Sequence, residues 1–204
     1  MRTKVKICGL SRPEDVAAVN AARPDYCGFI INFPKSHRNV SPEIVSMLTR
    51  ALDPDIVPVG VFVDQPVGIV AALLNAGVIA VAQLHGREDE DYIAALRAAA
   101  GGKPVWKAFQ IRAADDLARA AASSADQILL DNGAGTGRAF DWSLAGGMAR
   151  PFILAGGLTP ENLPEAIARL RPAAVDLSSG VETDGRKDPQ KILAAVAAVR
   201  SCEL

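Results

Sequence analysis

The chain has 204 residues, 22 Lys and Arg against 23 Asp and Glu, and a formal net charge of −1. That length suits one domain, residues 1–204, with a sizeable core, and the balanced charge argues against a nucleic-acid or anionic-membrane surface. Half of the residues are hydrophobic and only 5% are aromatic, a balance that fits packed parallel strands under helices better than a β-sandwich.

Short apolar runs alternate with helical patterns from end to end. The predicted strands are residues 4–10, 26–31, 56–63, 80–86, 104–110, 127–131, 151–157 and 174–180, each followed by helix-start chemistry or helical periodicity. In chain order, Ser11 before Arg12-Pro13-Glu14 reads as a capping box with proline near the first helical position. Ser41-Pro42-Glu43 and Thr159-Pro160-Glu161 repeat the device. Gly77 and Gly101 follow apolar-periodic runs as helix stops, and the acidic run Glu88–Asp91 reads as a helix N-terminus, where negative charge is favourable. The sixth helix, starting near Trp142, is cut short by Gly146-Gly147. Asp188-Pro189 opens the last, Ala-rich helix, which reads as outer packing. Eight strand–helix units in this length leave about 25 residues each, which predicts a compact (β/α)₈ TIM barrel. The rival, an open doubly wound sheet, normally shows a Gly-rich turn after its first strand. Here that turn, Cys8-Gly9-Leu10-Ser11-Arg12, has one glycine.

Alternation along parallel strands sends Val5 and Ile7 to the helices and Lys6 and Cys8 to the barrel interior. Gln83 and His85, and Asp176 and Ser178, share that parity, Lys107 joins them from the fifth strand, and the sixth ends in Asp131. Polar residues converging at the C-terminal ends of barrel strands mark a catalytic mouth, because unpaired buried charge is otherwise too costly to keep. The turns after the seventh and eighth strands, Gly156-Gly157 and Ser178-Ser179-Gly180, are small-residue loops where this fold commonly holds phosphate.

The three cysteines, Cys8, Cys27 and Cys202, are odd in number and fit neither a metal knuckle nor a redox pair. With two histidines they form no zinc constellation. The first residues contain no long apolar segment, and no run of eighteen apolar residues follows. The expectation is a reduced, cytoplasmic protein with no metal, cofactor or membrane span. Cys27 reads as core and Cys202 as tail.

As a set, Lys6-Ile7-Cys8-Gly9, Phe33-Pro34-Lys35-Ser36-His37-Arg38, Val59-Gly60-Val61-Phe62-Val63, Gln83-Leu84-His85-Gly86, Leu129-Leu130-Asp131, Gly135-Thr136-Gly137 with Phe140-Asp141-Trp142, Leu154-Ala155-Gly156-Gly157-Leu158 and Val175-Asp176-Leu177-Ser178-Ser179-Gly180-Val181-Glu182 resemble phosphoribosylanthranilate isomerase of tryptophan biosynthesis. The segments span almost the whole chain, in order. The resemblance implies an Amadori rearrangement of an aminoaldose phosphate to an aminoketose. It implies Cys8 as the general base at the sugar C2, Asp131 as the general acid at the ring oxygen, Arg38 and Asp176 on the anthranilate side, and Gly156, Gly157, Ser178, Ser179 and Gly180 as the phosphate cradle. His85 is structural or substrate-adjacent, and His37 lines the entrance where Pro or Lys is more usual. The loop after Asp131, residues 132–137, is compact and Gly-rich.

The chemistry is consistent with those roles. Ring opening needs a proton donor at oxygen and enolisation a base at carbon, and a carboxyl and a thiol supply both without a cofactor. A free thiol titrates near ~8.5, so a nearby positive charge such as Lys6 or the bound iminium would favour the thiolate. Burial or a second negative group would keep Asp131 protonated. A pentulose-phosphate epimerase would want a metal or paired carboxylates, and a dual-substrate isomerase acting in histidine biosynthesis would use two carboxylates. Cys8 argues against both. A catalytically silent barrel binding a phosphorylated ligand is the rival of a different class. The expected partner is a small phosphorylated substrate, and the expected state a monomer or homodimer.

Overall fold

The computed structural model describes residues 2–131 and 142–202. Eight strands form the centre: β1 (Lys4–Cys8), β2 (Tyr26–Ile31), β3 (Val57–Phe62), β4 (Val81–Leu84), β5 (Val105–Gln110), β6 (Gln127–Asp131), β7 (Phe152–Ala155) and β8 (Ala174–Leu177). Every neighbouring pair runs parallel, and β1 pairs with both β2 and β8, so the sheet closes on itself as the predicted barrel. Helices α1 (Pro13–Ala22), α2 (Pro42–Arg50), α3 (Val67–Asn75), α4 (Glu90–Ala99), α5 (Ala114–Ala122), α6 (Trp142–Ala145), α7 (Leu163–Leu170) and α8 (Pro189–Ser201) alternate with them. No helix among the described residues is long and apolar enough to cross a membrane.

Side-chain alternation splits the apolar residues into two layers. Val5, Ile7, Cys27, Phe29, Phe62, Leu84 and Leu130 belong to the large cluster between strands and helices. Val59, Val81, Trp106, Leu129, Ile153 and Ala174 fill the barrel. Lys6 and Cys8 alternate with Val5 and Ile7 and therefore face inward, as expected, and Cys27 is core.

One polar residue does not follow the expectation. Trp106 and Ala108 are the inward residues of β5, so Lys107 lies on the helix side. It is buried there because Glu88 meets it, with Nζ 2.8 Å from Oε2 and 2.8 Å from the Gly86 carbonyl. Glu88 also accepts the backbone N–H groups of Asp64 and Gly86, each at 2.8 Å. It is thus a buried counter-ion joining two loops, while Asp89 caps α4 and Glu90 and Asp91 occupy its first turn.

Helix starts divide in the same way. Ser41 and Asp188 cap α2 and α8 through their side chains. The first helix is capped differently: Arg12 is the N-cap, and the Asp15 carboxylate accepts the N–H groups of Ser11 and Arg12 at 2.9 and 3.1 Å. The Thr159-Pro160-Glu161 segment is a turn, not a helix start. Asn162 accepts the Thr159 N–H and donates to the Gly157 carbonyl, and α7 begins only at Leu163. Helix α6 is four residues long, as its glycines require.

Candidate active site

All strands point the same way, so their C-terminal ends gather at one mouth. Cys8 ends β1, Asp131 ends β6, Asp176 is the third residue of β8, and His85 follows β4 directly. Gly156 and Gly157 follow β7 with left-handed φ values of 90° and 67°. Ser178 leads into a 3₁₀ turn over Ser179–Val181. The loop carrying Arg38 leads from β2 to the two-residue strand Asn39–Val40, which pairs with β2. Residues 132–137 and the Gly135-Thr136-Gly137 and Phe140-Asp141 motifs lie outside the described residues.

The interior floor beneath Cys8 is ionic. Lys6 is fully buried, and its Nζ donates to both Asp176 oxygens, at 3.0 and 2.9 Å. Burial opposes the charge on Lys6, but Asp176 and the thiol overcome it and raise its pKa. Burial pushes the Cys8 thiol up; Lys6 pulls the other way and Asp176 adds to the rise. The positive charge expected to favour the thiolate is therefore present but already neutralised. Space for this arrangement comes from Gly28 on β2, where a Cβ would stand 2.7 Å from Cys8 Sγ and 2.9 Å from Lys6 Nζ.

Asp131 meets His85 across the mouth, with Nε2 3.4 Å from Oδ2. The backbone N–H of His85 is fixed at 2.7 Å to the Phe62 carbonyl, and its Nδ1 lies 3.2 Å from Gln83 Nε2. Gln83 is buried, and its Oε1 has no hydrogen-bond partner among the described residues.

A second ionic cluster stands at the lip. Arg38 grips Glu182 with two hydrogen bonds, Nε to Oε1 at 2.7 Å and Nη2 to Oε2 at 2.6 Å. Lys187 donates to the same carboxylate at 2.5 Å and to the Ser178 carbonyl at 2.9 Å. Burial pushes the Glu182 carboxyl up, but its hydrogen bonds from Arg38 and Lys187 outweigh this and hold it at about 2. The cluster walls a cavity of about 330 Å³ between the loops after β1, β2 and β8, with Gly9, Ser11, His37 and Arg186 also in its lining. Glu182 and Lys187 were not singled out from the sequence. Glu182 sits inside a recognisable motif, and Lys187 faces it across a two-residue Asp184-Gly185 hairpin turn, so the local signal that could have found it is that Asp-Gly pair.

The two phosphate-candidate loops touch. A Cβ at Gly180 would stand 1.8 Å from the Leu158 carbonyl oxygen, so only glycine lets the turn after β8 pack against the turn after β7. The Ser178 hydroxyl donates to the Cys8 carbonyl at 3.1 Å, which ties this loop to the end of β1. The sequence-selected residues thus form three groups around one mouth: Cys8 with Lys6 and Asp176, Asp131 with His85, and Arg38 joined through Glu182 and Lys187 to the serine loop. A carboxyl and a thiol at the ends of two strands, beside a cation and two anion-compatible turns, can exchange protons with a phosphorylated sugar without a metal.

Comparison with known proteins agrees with this chemistry. Residues 5–198 match the family model described as N-(5'phosphoribosyl)anthranilate (PRA) isomerase. A protein from Endomicrobium trichonymphae named N-(5'-phosphoribosyl)anthranilate isomerase is 43% identical over 203 residues, covering 97% of this chain and 98% of that one. The crystal structure of phosphoribosyl anthranilate isomerase from Thermus thermophilus superposes with a TM-score of 0.86 at 39% identity, covering 98% of this chain and 99% of that one. A further phosphoribosyl anthranilate isomerase structure, in complex with reduced 1-(o-carboxyphenylamino)-1-deoxyribulose 5-phosphate, gives a TM-score of 0.84 at 35% identity over 98% and 99% of the two chains. The chain belongs to the N-(5'-phosphoribosyl)anthranilate isomerase family.

Proposed function

We propose that this chain, as one isomerase domain over residues 1–204, converts N-(5'-phosphoribosyl)anthranilate to 1-(2-carboxyphenylamino)-1-deoxyribulose 5-phosphate, with Asp131 as general acid and Cys8 as general base. Asp131 gives its proton to the ring oxygen as the C1–O bond breaks, and the anilino nitrogen lone pair forms the iminium. The Cys8 thiolate then removes the proton on C2 to give an enolamine. This takes a proton at C1 and loses the one on its C2 hydroxyl by exchange with water to give the ketone, while Cys8 returns its proton to water and Asp131 takes one up. The observation that carries this reading is the pairing of a thiol and a carboxyl at the ends of β1 and β6 within one barrel mouth, in a chain whose family match runs through the whole barrel.

The other roles follow from charge and reach. The substrate phosphate sits at Gly156-Gly157 and Ser179-Gly180, where positive-φ and small-residue turns leave backbone N–H groups open to an anion. The Ser178 hydroxyl, already donating to the Cys8 carbonyl, positions that loop. Arg38 binds the anthranilate carboxylate, which suits a planar guanidinium. To do so it shares or exchanges the grip it has on Glu182. His85 holds Asp131 in place from the side.

The test is turnover, followed by the fluorescence decrease of the substrate, on wild type, Cys8→Ala and Asp131→Asn. Each substitution should lower kcat by about 10² or more, the usual contribution of a general base or acid. Arg38→Ala should mainly raise KM. Near-wild-type turnover by Cys8→Ala would refute the assignment of the base.

A further inference from the structure

Among the described residues, the Lys6 ammonium is the one cation next to the Cys8 thiol whose carboxylate partner lies on the barrel floor. Two other cations act on that thiol, Lys187 and Arg38, and both are bound to Glu182, at 2.5 Å and at 2.6 and 2.7 Å. Cys27, a further titratable neighbour, is buried in the helix-side layer, and burial pushes its thiol far up. Lys6 is different. It contacts Asp176 on one side through two hydrogen bonds, at 3.0 and 2.9 Å. On the other side it shares with Sγ the slot that Gly28 leaves open, each of the two within 3 Å of the same missing Cβ, at 2.9 and 2.7 Å. Asp176 in turn feels His85 and Asp131 from across the mouth.

We infer that Asp176 sets the protonation of Cys8 by competing with the thiol for one buried ammonium, Lys6. The inference rests on the reading of Cys8 as the base and gives Asp176 a second role, distinct from the contact with the anthranilate side that family resemblance implies. While Asp176 holds Lys6 bidentately, little of the ammonium charge is left to stabilise a thiolate, and the resting enzyme keeps a thiol. Anything that weakens the hold of the carboxylate on Lys6 moves that charge toward sulfur. Asp176 acts through Lys6, so it is a positioning residue in this role, and its effect belongs to the free enzyme before any substrate arrives.

The experiment is a pH titration of thiolate absorbance near 240 nm on the substrate-free full chain. Each variant is read as the difference from the same variant carrying Cys8→Ser, which cancels Cys27, Cys202 and the tyrosines. Asp176→Asn should lower the Cys8 midpoint by about one unit or more, giving at least about ten-fold more thiolate at a fixed pH below it. Lys6→Met should raise it. Because Lys6→Met leaves a buried carboxylate alone, the double variant Lys6→Met/Asp176→Asn provides a floor with no unpaired charge, and its midpoint should lie between those of the two single variants, close to wild type. A midpoint in Asp176→Asn within about 0.3 unit of wild type, or a double variant whose midpoint is as low as that of Asp176→Asn, would overturn the inference. A purely substrate-binding Asp176 would raise KM and leave the free-enzyme midpoint where it was. Failure of the base assignment would instead appear as retained turnover in Cys8→Ala, with these midpoints moving as stated.

Discussion

Replacing Glu182 by Gln tests the lip cluster most directly. The carboxylate is held at about 2, against an ordinary 4.5, by hydrogen bonds from Arg38 and Lys187 that outweigh its burial. A carboxyl depressed in the folded state contributes stability that is complete above its unfolded value and fades as the pH falls toward its folded value. At about 1.4 kcal/mol per unit the displacement corresponds to roughly 3.5 kcal/mol. Glu182 borders an open cavity, so solvent screening reduces the recoverable part to about 2 kcal/mol. The variant also leaves Lys187, only 7% exposed, without a counter-ion. Urea unfolding at pH 7 should therefore show Glu182→Gln less stable by about 2 kcal/mol, equivalent to a fall in Tm of about 4–8 °C for a chain of this size. The difference should hold down to about pH 5 and be roughly halved by pH 3.5, since the unfolded carboxyl is by then largely protonated. A difference below about 0.5 kcal/mol at pH 7, or one that stays constant from pH 7 to pH 3.5, would show that the cluster does not bear on folding in this way.

Two further predictions concern the loops. Gly180→Ala places a Cβ 1.8 Å from the Leu158 carbonyl oxygen, so the turns after β7 and β8 must separate; a KM at least ten-fold higher, with a smaller change in kcat, is the expected kinetic result. Lys107→Met strands Glu88, whose side chain is 1% exposed, and should cost about 3–5 kcal/mol by urea denaturation, whereas Lys107→Met combined with Glu88→Gln should recover a large part of that loss.

Strand content and parity were legible because a closed parallel barrel imposes a simple rule, one side to the helices and the other to the interior. Val5 and Ile7 against Lys6 and Cys8 display it in four residues. The rule failed at Lys107 because its charge suggested the mouth, while the inward positions of β5 belong to Trp106 and Ala108. The buried counter-ion that explains Lys107, Glu88, was hidden among acidic neighbours that do serve the start of α4. Thr159-Pro160-Glu161 carried the composition of a helix start, but the Asn162 side chain closes a turn there first. The candidate catalytic positions were readable from strand ends and motif, whereas their partners were not. The residues of the Arg38–Glu182 pair stand 144 positions apart and those of the Lys6–Asp176 pair 170, and local periodicity carries no information at such separations.

Those separations bear on how the protein comes into being. The seam where β8 meets β1 also joins the Lys6 ammonium to its carboxylate and the Ser178 hydroxyl to the Cys8 carbonyl. Cys8 is made well before β8, and until β8 has docked the Lys6 ammonium beside it has no Asp176 carboxylate to hold it. The thiol's full surroundings are a property of the closed ring, since they draw on β1, β2 and β8 together. Interactions spanning so much of the chain carry a large loop-closure cost and slow the step that makes them. The same contact that equips the thiol for chemistry thus reports that the barrel is complete, and the reactivity of Cys8 toward a small alkylating agent would serve as a clock for closure.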